Sequence, residues 1–174
     1  MKLTGKKAII LVEDIYNEFE VWIPYYRLKE EGVEVVVVGS GSASEYHGKY
    51  GIPIRPDINA SQVQFDDFDA IVIPGGYAPD KMRIHPEMVG LVKDMFNKGK
   101  VVASICHGGW MLASAGILKD KKTTSYIGIK DDMINAGARW EDAELVRDGN
   151  LITSRKPEDL PAFCRALIQA MQEA

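Results

Sequence analysis

The sequence predicts an α/β fold with a mostly parallel central sheet and helices on both of its faces. Short apolar runs rich in branched residues recur along the chain, which is typical of strands that are buried on both sides. Segments with apolar residues at helical spacing separate these runs. Parallel strands need right-handed crossover connections, and helices supply them, so the alternation favours an open sheet covered by helices.

The first half of the chain contains three predicted strands and one predicted helix. Apolar runs at 8–12, 33–38 and 71–73 have the composition of buried strands. After the first of them, large apolar residues lie at helical spacing until Gly32, a helix stop signal. These apolar residues are Phe19, Trp22, Ile23 and Tyr26. Pro24 is expected to kink this helix or to mark its true start, because proline lacks the N–H that a helix interior needs.

The second half continues the alternation. Pro86 fits the first turn of a helix and Gly99 closes it. The apolar stripe of this helix consists of Met88, Leu91, Val92, Met95 and Phe96. A further buried strand is predicted at 101–105, and the chain finishes in an amphipathic helix. The apolar stripe of that last helix consists of Leu160, Phe163, Cys164, Leu167, Ile168 and Met171. The whole pattern predicts a flavodoxin-like sandwich.

Length and composition favour a single domain over 1–174. The 174 residues are 46% hydrophobic and 26% charged, which is ordinary for a globular domain. The net charge of −4, without a block of Lys and Arg, argues against nucleic-acid binding. The first apolar run is too short for a signal peptide or a membrane span, so we expect a cytoplasmic protein without a membrane partner. Only Cys106 and Cys164 are cysteines, and their unlike contexts fit a reducing compartment better than a disulfide framework.

The strongest motif lies at a strand end. Ligands of open parallel sheets bind beyond the carboxyl ends of the strands. The relevant loops here follow Val12, Ile73 and Ile105. Cys106 comes directly after the last of these strands and before a predicted helix, with the small residues Ser104 and Gly108 two positions to either side. This spacing is typical of a nucleophile elbow, in which small neighbours let a tight turn close.

The elbow predicts a reactive thiol. At a helix N-terminus, the dipole and the free N–H groups favour a thiolate, so we expect the pKa of Cys106 to lie below ~8.5, the free value. The alternative is that Cys106 is a small core residue, as most unpaired cysteines are. The run Cys106-His107-Gly108-Gly109 after an apolar strand favours a functional thiol. Cys164, on the apolar stripe of the last helix, is predicted to pack in the core.

Candidate partners for the thiol lie in two loops. His107 can act as a base, as a positive neighbour, or only through its backbone N–H. Gly75 and Gly76 end a buried strand, and their N–H groups can line an oxyanion site beside Cys106, a plain turn being the alternative. Asp80, in the same loop, either orients a histidine or caps a helix.

The loop after the first strand is acidic. Its carboxylates are Glu13, Asp14, Glu18 and Glu20. Such a run is usually solvated, but a protonated carboxyl of Glu20 can hydrogen-bond a thiolate, and Glu18 is the second choice. Of the other histidines, His47 is predicted to lie at the surface and His85 to have a structural role at a helix start. No spacing of His, Cys and carboxylate residues resembles a ligand set, so neither a metal nor a cofactor is expected.

Several motifs occur together in a recognisable order. They lie at 18–20, 24–32, 74–76, 103–108, 124–126 and 128–137. With these motifs, the sequence resembles the ThiJ/PfpI superfamily, and specifically the PfpI-type intracellular cysteine proteases and the related glyoxalase or deglycase proteins. The resemblance covers almost the full chain.

The resemblance implies a set of roles. It implies a Cys-His pair, Cys106 with His107, completed by an acidic residue from a neighbouring subunit of a dimer or hexamer. By position that residue is Asp80, where the family often has Glu, so its contact with His107 is expected to be longer or to be mediated by water. Tyr126 is expected at the pocket mouth. Gly109 stands where family members commonly have proline, which predicts a looser turn.

The expected function is that of a cofactor-independent cysteine hydrolase or lyase. The resemblance implies attack of the Cys106 thiolate on a carbonyl of a small peptide, or of a reactive aldehyde such as methylglyoxal or a glycation adduct. The alternative is a redox sensor or chaperone-like stress protein in which Cys106 is oxidised and Glu20 stabilises the product. A glutamine amidotransferase is excluded, because its chemistry needs a histidine far downstream and none follows His107.

Overall fold

A seven-stranded sheet organises the computed structural model, which describes residues 3–174. Residues 1 and 2 of the predicted domain 1–174 lie outside the described residues. The strands are β1 (Lys7–Val12), β2 (Glu34–Gly39), β3 (Tyr46–His47), β4 (Pro53–Ile54), β5 (Ile58–Asn59), β6 (Ala70–Ile73), β7 (Val101–Ile105), β8 (Lys122–Thr123), β9 (Arg139–Trp140), β10 (Val146–Asp148) and β11 (Leu151–Ser154). The helices are α1 (Glu18–Glu30), α2 (Ala78–Met82), α3 (Pro86–Asn97), α4 (Gly109–Ser114), α5 (Lys130–Asn135) and α6 (Leu160–Glu173).

The main sheet is parallel except at one edge. Its order is β10-β11-β7-β6-β1-β2-β5, and only the pair of β10 and β11 is antiparallel. Every residue of β6 and β7 is buried, and so is β1 after Lys7. Burial of each large apolar side chain contributes about 1.5–3 kcal/mol, so these central strands anchor the core. The predicted flavodoxin-like α/β fold is confirmed.

Helices cover both faces of this sheet. The connection from β1 to β2 and the connection from β6 to β7 step along the sheet in opposite directions. Right-handed crossovers therefore place α1 and α3 on opposite faces. Helix α6 packs against α1 and against β7 and β11, whereas α4 packs against α3 on the other side. No helix within residues 3–174 is both long enough and apolar enough to span a bilayer.

Helix α1 differs from its sequence-based prediction. It begins at Glu18, with the Asn17 side chain accepting a hydrogen bond from the Phe19 N–H, so Pro24 lies inside the helix and does not mark its start. The four apolar residues at helical spacing do not form the buried face, since Phe19 and Tyr26 are 51% and 64% exposed. The buried residues of α1 are Glu18, Glu20, Val21, Pro24 and Leu28. Two carboxylates thus occupy positions where an amphipathic helix normally places apolar side chains.

Short strands were missed by the sequence analysis. Strands β3 and β4 form a hairpin beside the main sheet, and β8 pairs with β9. The hairpin of β10 and β11 closes one edge of the main sheet. Strands of two or three residues carry too little periodicity to be recognised, and β10 has the polar composition Val146-Arg147-Asp148. The four-residue β11 has only two apolar residues, Leu151 and Ile152.

Candidate active site

The candidate site lies where the carboxyl ends of β1, β6 and β7 meet. Strand β1 leads to β2 on one side and neighbours β6 on the other, so the chain changes direction across the sheet at this point. Open α/β sheets bind ligands at such switch points. The loops are joined by backbone pairing, because Tyr16 forms bridges to both Gly48 and Gly76. All the loops singled out from the sequence therefore line one site.

Cys106 occupies a strained turn. Its φ is +61°, a backbone conformation that residues other than glycine rarely adopt. A 3₁₀ turn over Cys106–Gly108 then leads into α4. A Cβ at Gly108 would stand 2.6 Å from the Ile73 carbonyl oxygen and 2.7 Å from Ser104 Oγ. Only glycine fits there, and a larger residue at Ser104 would close the remaining space. This is the geometry of the nucleophile elbow that the spacing predicts.

The turn after the cysteine is not loose. Gly109 is buried with a φ of −55°, and a Cβ built on it would lie 2.6 Å from Met133 Sδ and 3.1 Å from Ile129 Cδ1. Met133 and Ile129 therefore press directly against this backbone. The looser turn expected from the absence of proline is wrong, because close packing replaces the ring as the constraint.

His107 lies beside the thiol. Its Nδ1 is 3.4 Å from the Cys106 Sγ, and its ring stacks on Tyr126 with the ring centroids 4.8 Å apart. Trp110 packs edge-on against the same imidazole at 5.1 Å. Burial lowers the pKa of His107, and the positive charge of Lys49 lowers it further. The imidazole is therefore neutral near pH 7, which favours a base over a permanently positive neighbour.

Glu20 lies beneath the thiol and is fully buried. Its Oε2 accepts a hydrogen bond of 2.6 Å from the Gly75 N–H, and its carboxyl interacts with the Cys106 thiol. Its Oε1 has no hydrogen-bond partner among residues 3–174. Burial raises the pKa of Glu20 to about 7, against the opposing effects of the Gly75 N–H, the thiol and the Lys49 charge. A neutral, proton-bearing carboxyl is therefore available at neutral pH.

The expected low pKa of the thiol is wrong. Burial and then the negative charge of Glu20 raise the pKa of Cys106 to about 12, although the N–H groups of His107 and Gly76 act to lower it. The sulfur lies in a crevice, with the residue only 8% exposed, and not at an open helix end. The thiol and the carboxyl cannot both be ionised at low cost, so a thiolate requires a neighbour that holds the proton.

The two glycines after β6 have different tasks. A Cβ at Gly75 would lie 2.7 Å from both Cys106 Cβ and Glu20 Oε2. Because the Gly75 N–H already donates to Glu20, it is not free to act as the oxyanion donor that the sequence analysis expected. Gly76 has a φ of +71°, and its N–H points at the sulfur. Gly76 and His107 are thus the backbone donors at the reactive atom.

Other candidates from the sequence lie away from the thiol. Glu18 Oε1 accepts hydrogen bonds from the N–H groups of Tyr50 and Ile52, so this carboxylate holds the loop before β4. Asp80 lies in the first turn of α2, where its hydrogen bond raises the pKa of Tyr77. No hydrogen bond or ion pair joins Asp80 to His107 in the part of the chain that the structure describes.

The remaining histidines and the second cysteine lie outside the site. His47 is exposed with Nε2 3.5 Å from Glu45, and His85 precedes the first residue of α3. Cys164 is 3% exposed on α6. Within residues 3–174, no group of three or more His, Cys, Asp or Glu side chains is arranged to hold a metal ion.

A cavity of about 520 Å³ opens above Cys106. Its lining consists of Ile15, Asn17, Lys49, Tyr50, Gly76, Tyr77, Cys106, His107, Tyr126, Lys156, Pro157 and Glu158. Tyr126, expected at the pocket mouth, is 39% exposed there. Ile15 has a φ of +64°, a strained value for a branched residue, and its carbonyl accepts the Tyr77 N–H. Sequence reasoning missed Ile15, Lys49, Tyr50, Tyr77 and Lys156, and no local pattern marks them.

Fold and site together define a flavodoxin-like α/β protein with a cysteine on a nucleophile elbow at the switch point of its sheet. Residues 6–170 match the model of the DJ-1/PfpI family, and the chain belongs to that family. A protein of Pyrococcus abyssi named as a deglycase is 47% identical over 95% of this chain and 99% of its own. A Bacillus subtilis protein, provisionally named cysteine protease YraA, is 38% identical over 97% of this chain and 99% of its own.

A solved structure extends the comparison. The crystal structure of a two-domain protein of Anabaena variabilis, with DJ-1/ThiJ/PfpI-like and ferritin-like domains, superposes with a TM-score of 0.92 at 45% identity. The match covers 94% of this chain and 47% of that one, so this chain spans about half of the two-domain protein.

Proposed function

We propose that this chain is a cysteine-dependent hydrolase or lyase that acts on carbonyl compounds, with Cys106 as its nucleophile. One observation carries the proposal: the Cys106 sulfur lies 3.4 Å from the neutral His107 Nδ1 at the floor of an open cavity. The names of the relatives, deglycase and provisionally cysteine protease, support attack on a carbonyl. Deglycation or glyoxalase chemistry is the leading form, since the more similar relatives are named deglycases.

The first step is addition of the thiol to the carbonyl carbon. The S–C bond forms as the carbonyl π bond opens, and the thiol proton passes to Nδ1 of His107. Proton removal during attack avoids a free thiolate, which the high pKa of Cys106 disfavours. The N–H groups of Gly76 and His107, which act on the sulfur of the free site, would stabilise the developing oxyanion in this step.

The later steps depend on the substrate. With a 2-oxoaldehyde such as methylglyoxal, the adduct is a hemithioacetal, and transfer of its C1 proton to C2 through an enediol gives the thioester of a 2-hydroxy acid. Water then releases the acid and restores the thiol. With a peptide, the adduct expels the protonated amine, and water hydrolyses the thioester. Both sequences are redox-neutral and need no cofactor. Glu20, whose pKa is about 7, can hold and return a proton in either sequence.

We also propose that Asp80 acts from a neighbouring subunit of a homo-oligomer, a dimer or a hexamer. Among residues 3–174 of one chain, Asp80 interacts with Tyr77 and forms no hydrogen bond or ion pair with His107. Light scattering of the purified protein would give the oligomeric state. Activity lost in both Asp80→Asn and a folded monomeric variant would support the assignment, and a monomer with full activity would refute it. Two unpaired cysteines also fit a reducing, cytoplasmic setting.

The decisive test compares wild type, Cys106→Ala and Cys164→Ala with methylglyoxal and with a fluorogenic peptide. Cys106→Ala is expected to lose all turnover, whereas Cys164→Ala should retain it, because Cys164 lies on α6 and outside the cavity. The faster substrate identifies the reaction. Full activity of Cys106→Ala would refute the proposal. The proposal would also be refuted if the wild type turned over neither of the two substrates.

A second candidate function is oxidation sensing by Cys106. The Glu20 carboxyl next to the thiol has an unpartnered Oε1 and holds a proton near pH 7, which suits it to bond a sulfinate oxygen. Each oxygen would come from a peroxide, with one water released. Mass spectrometry after mild peroxide treatment should show two added oxygens on Cys106. In the Glu20→Leu variant, oxidation of Cys106 should not stop at two oxygens. Equal oxidation of Cys164 would argue against this function.

A further inference from the structure

Two lysines stand at the rim of the cavity that contains the thiol. Lys49 and Lys156 both line it together with Cys106 and His107. Both are exposed, and among residues 3–174 neither ammonium group forms a salt bridge or a hydrogen bond. The Nζ of Lys49 lies 5.4 Å from the centroid of the Tyr50 ring. These two charges are therefore free to bind an anion.

The backbones that carry the lysines are anchored. The Lys49 N–H donates to the Tyr16 carbonyl at 2.8 Å, which ties the turn between β3 and β4 to the loop after β1. Lys156 follows Arg155, whose N–H and Nε donate to the buried Asp159 carboxylate at 3.0 and 2.9 Å. Two separate segments thus present their lysines at fixed points of the rim.

The charge balance at this cavity is opposite to that of the whole chain. The lining contains Lys49 and Lys156 against a single carboxylate, Glu158, although the chain has a net charge of −4. The field also reaches the reactive centre, since the charge of Lys49 acts on both His107 and Glu20. A negative group that enters this cavity is attracted toward the nucleophile.

We propose that the site selects carbonyl compounds that bear a carboxylate, and that Lys49 and Lys156 bind this carboxylate while the carbonyl meets Cys106. The inference rests on the proposed function, because it names the substrate class of the same site. The aromatic rings of Tyr50, Tyr77 and Tyr126 line the space around the thiol and suit an uncharged middle portion. A charged rim and a neutral wall together favour an elongated molecule with its two polar groups at opposite ends.

The first test uses alkylation, which is independent of turnover. Iodoacetate and iodoacetamide have nearly the same shape and differ in charge, so the ratio of their rates at Cys106 cancels the ionisation of the thiol. Lys49→Gln and Lys156→Gln should each lower the ratio of iodoacetate to iodoacetamide about threefold to tenfold, the range expected for one partly screened charge. The exposed Lys93→Gln on α3 is the matched control and should leave the ratio unchanged.

The second test uses two substrates with one reactive centre. The probe 4,5-dioxopentanoate is a 2-oxoaldehyde with a remote carboxylate, and its methyl ester lacks the charge. Wild type should show a higher kcat/KM for the acid than for the ester, and this preference should shrink with added NaCl. The double variant with both Lys49→Gln and Lys156→Gln should show no preference.

The outcomes separate this inference from the proposed function. If both probes are turned over equally by wild type and variants, the substrate class is wrong and the thiol chemistry stands. If the wild type turns over neither probe, nor methylglyoxal, nor the fluorogenic peptide, the proposed function fails, while the alkylation ratio still reports whether the lysines attract anions to Cys106. An alkylation ratio that neither lysine variant changes would overturn the inference by itself.

Discussion

Glu20 should make the stability of the protein fall as the pH rises. Its carboxyl has a pKa of about 7 in the folded chain and a normal value of 4.5. The difference of about 2.5 in pKa, at about 1.4 kcal/mol for each pKa unit, corresponds to about 3–4 kcal/mol. Because the folded pKa is raised, this stability is complete below pH 4.5 and is lost as the pH rises through about 7. The cause is burial of a charge without a cationic partner.

The perturbation that isolates this effect is Glu20→Gln. The amide keeps the shape of the carboxyl and its acceptor for the Gly75 N–H, but it never ionises. Urea unfolding at intervals between pH 4.5 and 8 gives the free energy of unfolding for both proteins. The difference between variant and wild type should grow by about 3 kcal/mol in favour of the variant across this range. The exposed Glu158→Gln controls for the loss of one carboxylate.

The comparison also removes competing titrations. His107, with its lowered pKa, has the opposite sign: its stabilising effect is present above its normal pKa of 6.5 and is lost as the pH falls through the folded value. This contribution is common to both proteins and cancels in the difference. Repeating the pair in a Cys106→Ala background should preserve the effect, because burial is its main cause. Parallel pH profiles for Glu20→Gln and wild type would show that Glu20 does not have a raised pKa in the folded protein.

Three further predictions concern the segments that hold the site. Gly76→Ala should lower the free energy of unfolding in urea by at least about 2 kcal/mol more than Gly116→Ala does. The φ angle is positive at both positions, but the new Cβ would lie 2.3 Å from a backbone oxygen at Gly76 and would meet nothing within 4 Å at Gly116. Equal losses of stability would contradict the clash at Gly76. Asn17→Ala should lower the melting temperature by the equivalent of about 1 kcal/mol, since it removes the N-cap of α1, and an unchanged value would show that the cap is unimportant. Asp159→Ala should cost about 2 kcal/mol, because its carboxylate is buried against Arg155, whereas the neighbouring exposed Glu158→Ala should be nearly neutral.

Local patterns were sufficient for the central elements. Strands β1, β2, β6 and β7 were located to within one residue at each end, since a strand buried on both faces needs a continuous apolar run. Helices α3 and α6 were predicted because their stripes pack on a sheet on one side and meet water on the other. The elbow was predicted from spacing alone, because a tight turn around Cys106 excludes large residues at positions two before and two after it.

The orientation of α1 could not be predicted from its sequence. Apolar spacing pointed to the face that includes Phe19 and Tyr26, but the buried face contains Glu18 and Glu20. These carboxylates can be buried because backbone N–H groups of distant segments, at Tyr50 and Gly75, donate hydrogen bonds to them. A hydrogen bond between residues 55 positions apart leaves no local pattern in the sequence.

The order of the elements, the buried strands and the place of the reactive cysteine could be predicted from the sequence, because each depends on residues that are close along the chain. The charge states and the shape of the site depend instead on the tertiary structure. The pKa values of Glu20 and Cys106 depend on burial by distant strands and loops, which reversed the expected direction for the thiol. Lys49 and Lys156 become neighbours of one cavity only when the loops after β3 and β11 meet above Cys106, and that meeting is a property of the fold.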